Sequence, residues 1–203
     1  MSTLKLSCSC QKVQGTLSNA SKNSGNHLTC MCIDCQTFAH YLGRENYILD
    51  NYGASEIYQV TPSQIQITQG QEYLTCLRLS PKGTNRWFAK CCNTPVANTI
   101  SLKMSFAGVS RKFINEDNLD TIVGPIKYQC QNKDCKTKPP KNSHPGFPTL
   151  LKLKMLVMLT LGKITKSYLP NPFFKEENGE HINPPIILKK ETRTEIRHKI
   201  KSL

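Results

Sequence analysis

The first hundred residues carry short runs in which apolar and polar positions alternate, or in which β-branched and aromatic residues are enriched, as in β-strands. These predicted strands cover residues 4–8, 56–60, 64–68 and 73–79. Turn-forming pairs such as Pro62-Ser63 and Gly70-Gln71 separate the later runs, so this part of the chain is predicted to form a β-meander. One short helix is expected at residues 34–42, where apolar side chains precede Gly43.

Beyond about residue 125 the chain changes character, and loops and helices replace the predicted strands. Residues 136–148 contain four prolines, which interrupt regular structure, so we expect a surface loop there. Apolar positions recur close to the helical period across residues 149–161 and predict an amphipathic helix packed on the sheet, in preference to one that binds a partner or a membrane surface. The charged stretch 191–201 is predicted to be a solvated helical tail.

Composition places the chain among globular proteins, since 38% of its 203 residues are hydrophobic and 20% are charged. From this length we expect one domain of ordinary size with an appendage, rather than a large multidomain enzyme. The formal net charge is +13. Residues 1–100 carry eight basic and five acidic side chains, or +3, whereas residues 101–203 carry 19 and nine, or +10. We therefore predict a domain at residues 1–125 and a basic C-terminal extension at residues 126–203.

The start of the chain has neither the apolar core of a secretory signal nor the arginine-rich character of an organellar presequence. We therefore expect a cytoplasmic location, with the nucleus as the alternative. The longest strongly apolar stretch, residues 155–161, is far shorter than the roughly 18 residues that a membrane span needs, and no membrane partner is expected. In a reducing compartment, clustered cysteines are metal ligands or redox groups more often than disulfides.

Seven of the ten cysteines lie in three tight groups, which is typical of metal ligands. The groups are a Cys-x-Cys pair, a Cys-x-Cys-x2-Cys triplet and an adjacent pair: Cys8 and Cys10; Cys30, Cys32 and Cys35; Cys91 and Cys92. Thiolates are soft ligands that favour zinc, and ligands a few residues apart let the backbone wrap part of a tetrahedral shell. An iron–sulfur cluster is the chemical alternative, but none of the usual ferredoxin spacings is present.

The seven cysteines can be divided between metal ions in more than one way. If the first and third groups meet across the sheet, they form a closed shell of four thiolates, as in structural zinc sites. The triplet of Cys30, Cys32 and Cys35 then supplies three ligands and leaves one position open, as in catalytic sites. Cys35 also falls at the start of a predicted helix, where the helix dipole favours a thiolate. We therefore expect two zinc ions, one enclosed and one open.

The order of these groups, with an aromatic-led strand before the last one and Asn93-Thr94-Pro95 after it, resembles the family of glutathione-dependent formaldehyde-activating enzymes and centromere protein V. The resemblance covers roughly residues 4–125. It implies a mainly β fold, the zinc-binding complex β-tent with a short helix, to which the partly helical extension is added. It also implies a structural zinc bound by Cys8, Cys10 and the third group, and a second zinc at the triplet.

The third group departs from the pattern of that family. The family carries Phe-Cys-x2-Cys-Gly-Thr, whereas this chain reads Phe-Ala-Lys-Cys-Cys-Asn-Thr over residues 88–94. Ala89 occupies the place of the first cysteine, so Cys91 would take its role. Water and Cys76 are the alternative fourth ligands of the enclosed site.

Two functions follow from these patterns. The resemblance implies a zinc-dependent carbon–sulfur lyase that acts on a thiol adduct of a small carbonyl compound, such as S-hydroxymethylglutathione, at the open zinc. The alternative is a non-catalytic zinc-stabilised module that contacts nucleic acid or another acidic partner through its basic C-terminal half. The basic residues are dispersed and accompany no nucleic-acid motif, so we favour the enzyme with a small thiol substrate.

A few further side chains are candidates for supporting roles. Three arginines could bind the carboxylates of a glutathione-like ligand, namely Arg44, Arg78 and Arg86. His40 could lie near the open zinc. Trp87, the sole tryptophan, is expected in the core beside the metal. Cys130 and Cys135 are predicted to be free thiols, because no second pair accompanies them.

Overall fold

Two β-sheets form the frame of the protein, which a computed structural model describes for residues 1–202. Strands account for about 30% of the chain and helices for about 29%, so the fold is mixed α/β. The prediction of a mainly β fold therefore finds the sheet but underestimates the helices.

Twelve strands lie within the described residues, in chain order β1 (Ser2–Ser7), β2 (Gln14–Ala20), β3 (Asn26–Cys30), β4 (Ser55–Val60), β5 (Ile65–Gln69), β6 (Leu74–Arg78), β7 (Asn85–Ala89), β8 (Thr94–Thr99), β9 (Ala107–Ser110), β10 (Tyr128–Cys130), β11 (Ser143–His144) and β12 (Ile186–Ile187). The helices are α1 (Ile33–Tyr41), α2 (Glu45–Ile48), α3 (Leu119–Val123), α4 (Thr149–Ile164) and α5 (Lys190–Lys201).

The small sheet contains three antiparallel strands in the order β1-β2-β5. The large sheet contains nine, in the order β11-β10-β3-β4-β9-β8-β7-β6-β12. Its central pairs are antiparallel, whereas β10 and β11 at one end and β12 at the other pair in parallel. The strands beyond residue 125 thus extend the large sheet at both ends, and the division of the chain into two units at that point stays a prediction.

The main hydrophobic core joins side chains from both sheets. Leu4 and Leu6 of β1 point into it and are buried, while the residue between them is exposed, which is the alternation that predicts a strand. Trp87 is fully buried, and its ring packs against Phe173 with centroids 5.2 Å apart. The prediction that Trp87 lies in the core is confirmed, its place beside a metal stays a prediction, and its ring partner comes from the C-terminal part of the chain.

A second core fixes the position of α1, the helix that carries part of the triplet. Phe38 of α1 and Leu42, the C-cap of that helix, pack with Leu77 of β6 and Phe88 of β7. Helix α5 lies on the same side, and its Ile196 packs against this cluster. Helix α1 is therefore held between the large sheet and α5.

The predicted helices at 34–42, 149–161 and 191–201 are confirmed as α1, α4 and α5. The expectation that 191–201 is a solvated tail is wrong, because Ile200 is buried and Arg197 pairs with Asp34 of α1. Packing of α4 differs from the prediction, however, because only Leu151 and Gly162 of its sixteen residues are buried. None of the helices in the described range is both long and apolar enough to cross a membrane.

Candidate metal centres

The first and third cysteine groups meet in one four-cysteine group, formed by Cys8, Cys10, Cys91 and Cys92, whose sulfur atoms all lie within 4.8 Å of one another. The separations of the Sγ atoms are 3.6 Å for Cys8–Cys10, 3.3 Å for Cys10–Cys91 and 3.8 Å for Cys8–Cys91. Four sulfurs arranged tetrahedrally about 2.3 Å from a zinc ion lie roughly 3.8 Å apart. The group could therefore bind a metal ion such as zinc with little rearrangement.

Two turns present these sulfurs to each other. After β1, the amide of Val13 donates to the Cys8 Sγ at 3.3 Å, which folds the chain back around the first pair. Between β7 and β8, the amides of Cys92 and Asn93 both donate to the Ala89 carbonyl and close a tight turn that holds the adjacent pair. The amide of Ser9 donates to Thr94 Oγ1 at 3.0 Å and ties one turn to the other.

Ala89, which stands where the third cysteine group of the formaldehyde-activating enzymes has its first cysteine, is buried. Cys91, two residues further along, supplies a sulfur to the group instead. Cys76, the alternative ligand, lies elsewhere in the core, with its Sγ 3.7 Å from Asn85 Oδ1. Burial raises the pKa of Cys92, but hydrogen bonds from Ser9 and Thr94 outweigh it and lower that pKa to about 5. One member of the group is thus prepared to be a thiolate.

The triplet forms the second group, and its three sulfur atoms also lie within 4.8 Å of one another. Cys30 ends β3, Cys32 is the N-cap of α1, and Cys35 lies in the first turn of that helix. The Cys32 Sγ accepts a hydrogen bond from the Cys35 amide at 3.4 Å. This N-cap hydrogen bond holds the Cys32 sulfur close to the start of α1, on the side of the other two sulfurs. A strand end and a helix start thus bring three donors together, and the triplet could bind a second metal ion such as zinc.

The electrostatics of the triplet favour a negative charge on Cys35. Hydrogen bonds from the thiols of Cys30 and Cys32 lower the pKa of Cys35 well below its ordinary value, and the charge of Arg86 lowers it further. The guanidinium Nη1 of Arg86 lies 3.9 Å from the Cys35 Sγ. Because three thiolates bring three negative charges to a dication, the nearby arginine offsets part of the excess.

A cleft of about 560 Å³ opens over the triplet, which lies within the usual size range for small-molecule sites. One part of its wall is apolar and includes Ile57, Phe106 and Phe147. Polar side chains also line it, namely Gln59, Arg86, Asn98, Gln131, Thr84, Asp34 and Asp134. A molecule in this cleft would reach the sulfur atoms and find both apolar walls and hydrogen-bonding groups.

Arg86 is the charged side chain of the cleft that is most deeply buried, with 7% of its side chain exposed. Its ion pair with Asp34 is long, with 3.9 Å between Nη2 and Oδ2. Within residues 1–202 its one side-chain hydrogen bond is the long contact to Cys35. A guanidinium has five N–H donors, so Arg86 retains donors for a ligand in the cleft.

Residues far along the chain hold the triplet in place. Asp134 Oδ2 accepts from the Ile33 amide at 2.9 Å, and the Asp134 carbonyl accepts from Gln36 Nε2 at 2.6 Å. Arg197 of α5 pairs with Asp34, which lies between Cys32 and Cys35 in sequence. Neither Asp134 nor Arg197 carries a motif that sequence analysis could have used, because both act through contacts made only in the folded chain.

Several predicted supporting residues lie away from the cleft. Arg44 packs on the Tyr47 ring, and Arg78 donates to Asn85 Oδ1 at 2.6 Å, so neither lines the cleft. His40 lies beside Glu45 and is not part of the triplet group. Cys130 is buried and Cys135 half-buried, and neither belongs to the two cysteine groups found among residues 1–202. That they are free thiols stays a prediction.

Comparison with known proteins gives a family but no activity. A model described as a family of unknown function, DUF6151, matches residues 1–182. No curated protein matches the sequence. Among solved structures, the crystal structure of a Rhodobacter sphaeroides protein from a structural-genomics programme is 16% identical, with coverage of 57% of this chain and 91% of that one and a TM-score of 0.40. A similarity at that level carries no argument about this chain.

Proposed function

The chain belongs to DUF6151, a family of unknown function, and we propose that it is a zinc-dependent carbon–sulfur lyase acting on a thiol adduct of a small carbonyl compound. One observation carries the proposal: three sulfur atoms, rather than four, meet beneath a cleft of small-molecule size. Catalytic zinc sites have three protein ligands and one open position, whereas structural sites are closed. The order of the cysteine groups resembles that of glutathione-dependent formaldehyde-activating enzymes, and this resemblance, which implies a complex β-tent fold, supports the same interpretation.

The two groups would have different tasks. The four-cysteine group would hold a structural zinc that ties the turn after β1 to the turn between β7 and β8. The triplet would hold the second zinc through Cys30, Cys32 and Cys35, and that ion would supply a Lewis acid facing the cleft. The soft, closely spaced donors of both groups fit zinc.

The residues around the triplet would bind and orient the substrate. Arg86 can pair with an anionic group of the thiol, because a buried guanidinium with unused donors is suited to a carboxylate. The amides of Gln59 and Asn98 line the same cleft and can fix the remaining polar groups. Phe106 and Phe147 line part of the cleft and would limit the access of water to the reacting atoms.

In the condensing direction, the sulfur of the thiol forms a bond to the carbonyl carbon of formaldehyde, and the thiol proton passes to the carbonyl oxygen. In the reverse direction, that carbon–sulfur bond breaks and the proton returns to sulfur. No oxidant or reductant is needed, and no side chain becomes covalently attached. The chain's contribution is to hold the thiol and the carbonyl compound side by side, which alone can supply much of the rate enhancement.

The proposal is tested by measuring the exchange between glutathione, formaldehyde and their adduct by NMR, with and without the zinc-loaded protein. We expect the native chain to accelerate exchange and Cys32→Ser to lose the acceleration, because this change removes one of three ligands. Cys135→Ser is the matched control, since that cysteine lies outside both groups. A zinc-loaded native chain that binds no thiol and leaves the exchange rate unchanged would disprove the proposal.

A further inference from the structure

Helix α4 carries a stripe of exposed apolar side chains that the proposed function does not use. The stripe consists of Leu150, Leu153, Val157, Leu161 and Ile164, each between 49% and 73% exposed. Their spacing of three or four residues places them on one face of the helix. Leu156, at 60% exposed, adjoins the same face.

The opposite face of α4 attaches the helix to the rest of the protein. Leu151 is fully buried, and Met155 packs against the cluster that contains the triplet. At Gly162 the helix comes so close to Ser105 that an added Cβ would lie 2.3 Å from the Ser105 Cβ. Helix α4 therefore has two apolar faces, and the rest of the protein covers only the face that carries Leu151.

Exposed apolar side chains are more concentrated on α4 than on any other element among the described residues. Six of the thirteen large hydrophobic side chains that are exposed among the described residues belong to this one helix. Single exposed apolar residues are normal on protein surfaces, whereas a contiguous patch marks a surface that contacts something else. The stripe is therefore an interaction surface.

Charge around the stripe indicates what it contacts. Residues 136–175 contain eight lysines and no aspartate or glutamate. Within α4, the helical repeat places Lys154 on one side of the stripe, and Lys152 and Lys163 on the other, all exposed. An apolar stripe bordered by lysines is the pattern of helices that lie in the interface of anionic membranes, because the long lysine stems follow the apolar layer while their charges reach the headgroups.

We propose that α4 binds the surface of a membrane that contains anionic lipids. A second copy of this chain is disfavoured, because it would bring the same lysines and a formal charge of +13 against the first. The groove beside α4 also has a polar far wall, formed by Asn23, Ser24 and Asn26, so a partner helix would find apolar contacts on one side only. This inference reverses the expectation that the chain has no membrane partner.

The test uses the full zinc-loaded chain with vesicles of phosphatidylcholine alone and of phosphatidylcholine with roughly one third phosphatidylserine. We expect the chain to float with the anionic vesicles, to bind the neutral vesicles at least about tenfold more weakly, and to dissociate as salt rises. The double variant Leu153→Gln, Leu161→Gln is expected to bind anionic vesicles at least about tenfold more weakly. Its helical circular dichroism signal should match that of the native chain, because both side chains are exposed. Ile126→Gln, an exposed apolar residue outside α4, is the matched control.

Three results would overturn the inference. The first is a native chain that binds neither kind of vesicle. The second is a dimer in light scattering that the double variant converts to a monomer, which would make the stripe an interface between copies. The third is nucleic-acid binding in the absence of vesicle binding, which would assign the lysines to phosphate contacts and leave the leucines without a role.

Discussion

Arg86 offers the sharpest test of how the cleft selects its substrate. The Arg86→Gln variant removes the buried charge and keeps a polar side chain of moderate length. The existing contacts of Arg86 to Cys35 and Asp34 are both 3.9 Å long, so the substitution breaks no short hydrogen bond in the protein. The main loss should therefore fall on an anionic ligand in the cleft.

A hydrogen bond to a charged group contributes about 1.5 to 3 kcal/mol, and every 1.4 kcal/mol is a tenfold change in affinity. We therefore expect Arg86→Gln to lower kcat/KM for glutathione by roughly tenfold to a hundredfold. For 2-mercaptoethanol, which carries no carboxylate, the loss should be several-fold smaller, because only the effect of Arg86 on the charge of Cys35 remains. The difference between the two thiols isolates the contact with the substrate from any general effect on the site.

The assay follows exchange of each thiol with formaldehyde by NMR, and zinc per chain is measured on the same samples. Arg78→Gln is the control, because Arg78 donates to Asn85 and does not line the cleft. An equal loss for both thiols would refute the reasoning, since it would show that Arg86 acts through the cysteines and not on the substrate. Unchanged rates for glutathione would refute it as well.

Three further predictions concern stability and the support of the site. Leu151→Ala should cost about 2 to 5 kcal/mol in urea unfolding, whereas Leu150→Ala on the exposed face should change stability by less than about 0.5 kcal/mol; equal costs would contradict the packing of α4. Burial lowers the pKa of His27, but its hydrogen bond to Glu56 outweighs this and raises that pKa above the unfolded value. The protonated ring therefore stabilises the folded state below about pH 6.5, and this contribution should be lost as pH rises through the folded pKa. If the midpoint of urea unfolding depended on pH in His27→Gln as it does in the native chain, the prediction would be contradicted. Arg197→Ala should cost under about 1 kcal/mol in unfolding, because both members of the pair with Asp34 are substantially exposed, yet it should speed zinc release from the triplet to a chelator; unchanged release would show that the pair does not support the site.

Local patterns in the sequence were sufficient to find the candidate site. The triplet spans six residues, so its spacing alone predicts that the three sulfurs can meet. The meeting of Cys8 with Cys91 joins positions 83 residues apart, and only the resemblance to a known order of clusters implied it. Asp134 was beyond reach, because a lone aspartate in a loop gives no sign that it will hold the Ile33 amide.

The fold shows the same limit. Strand β1 alternates and was predicted, whereas β3 is buried along its whole length and offers no alternation to detect. The period of α4 predicted a helix but not which side would be covered, because Leu150 and Leu151 are equally apolar and lie on different faces. Which face is buried depends on how the helix packs in the folded chain, where Gly162 lies close against Ser105.

The central claim is that the triplet holds a metal ion with one position left for a thiol. It is tested most directly by replacing zinc with cobalt and recording the sulfur-to-metal charge-transfer absorption while glutathione is added. We predict two ions per chain and an absorption that rises as the thiol binds, a rise that Cys32→Ser abolishes and Cys91→Ser retains. A native spectrum that does not respond to glutathione, or a chain that holds no ion at the triplet, would contradict the account.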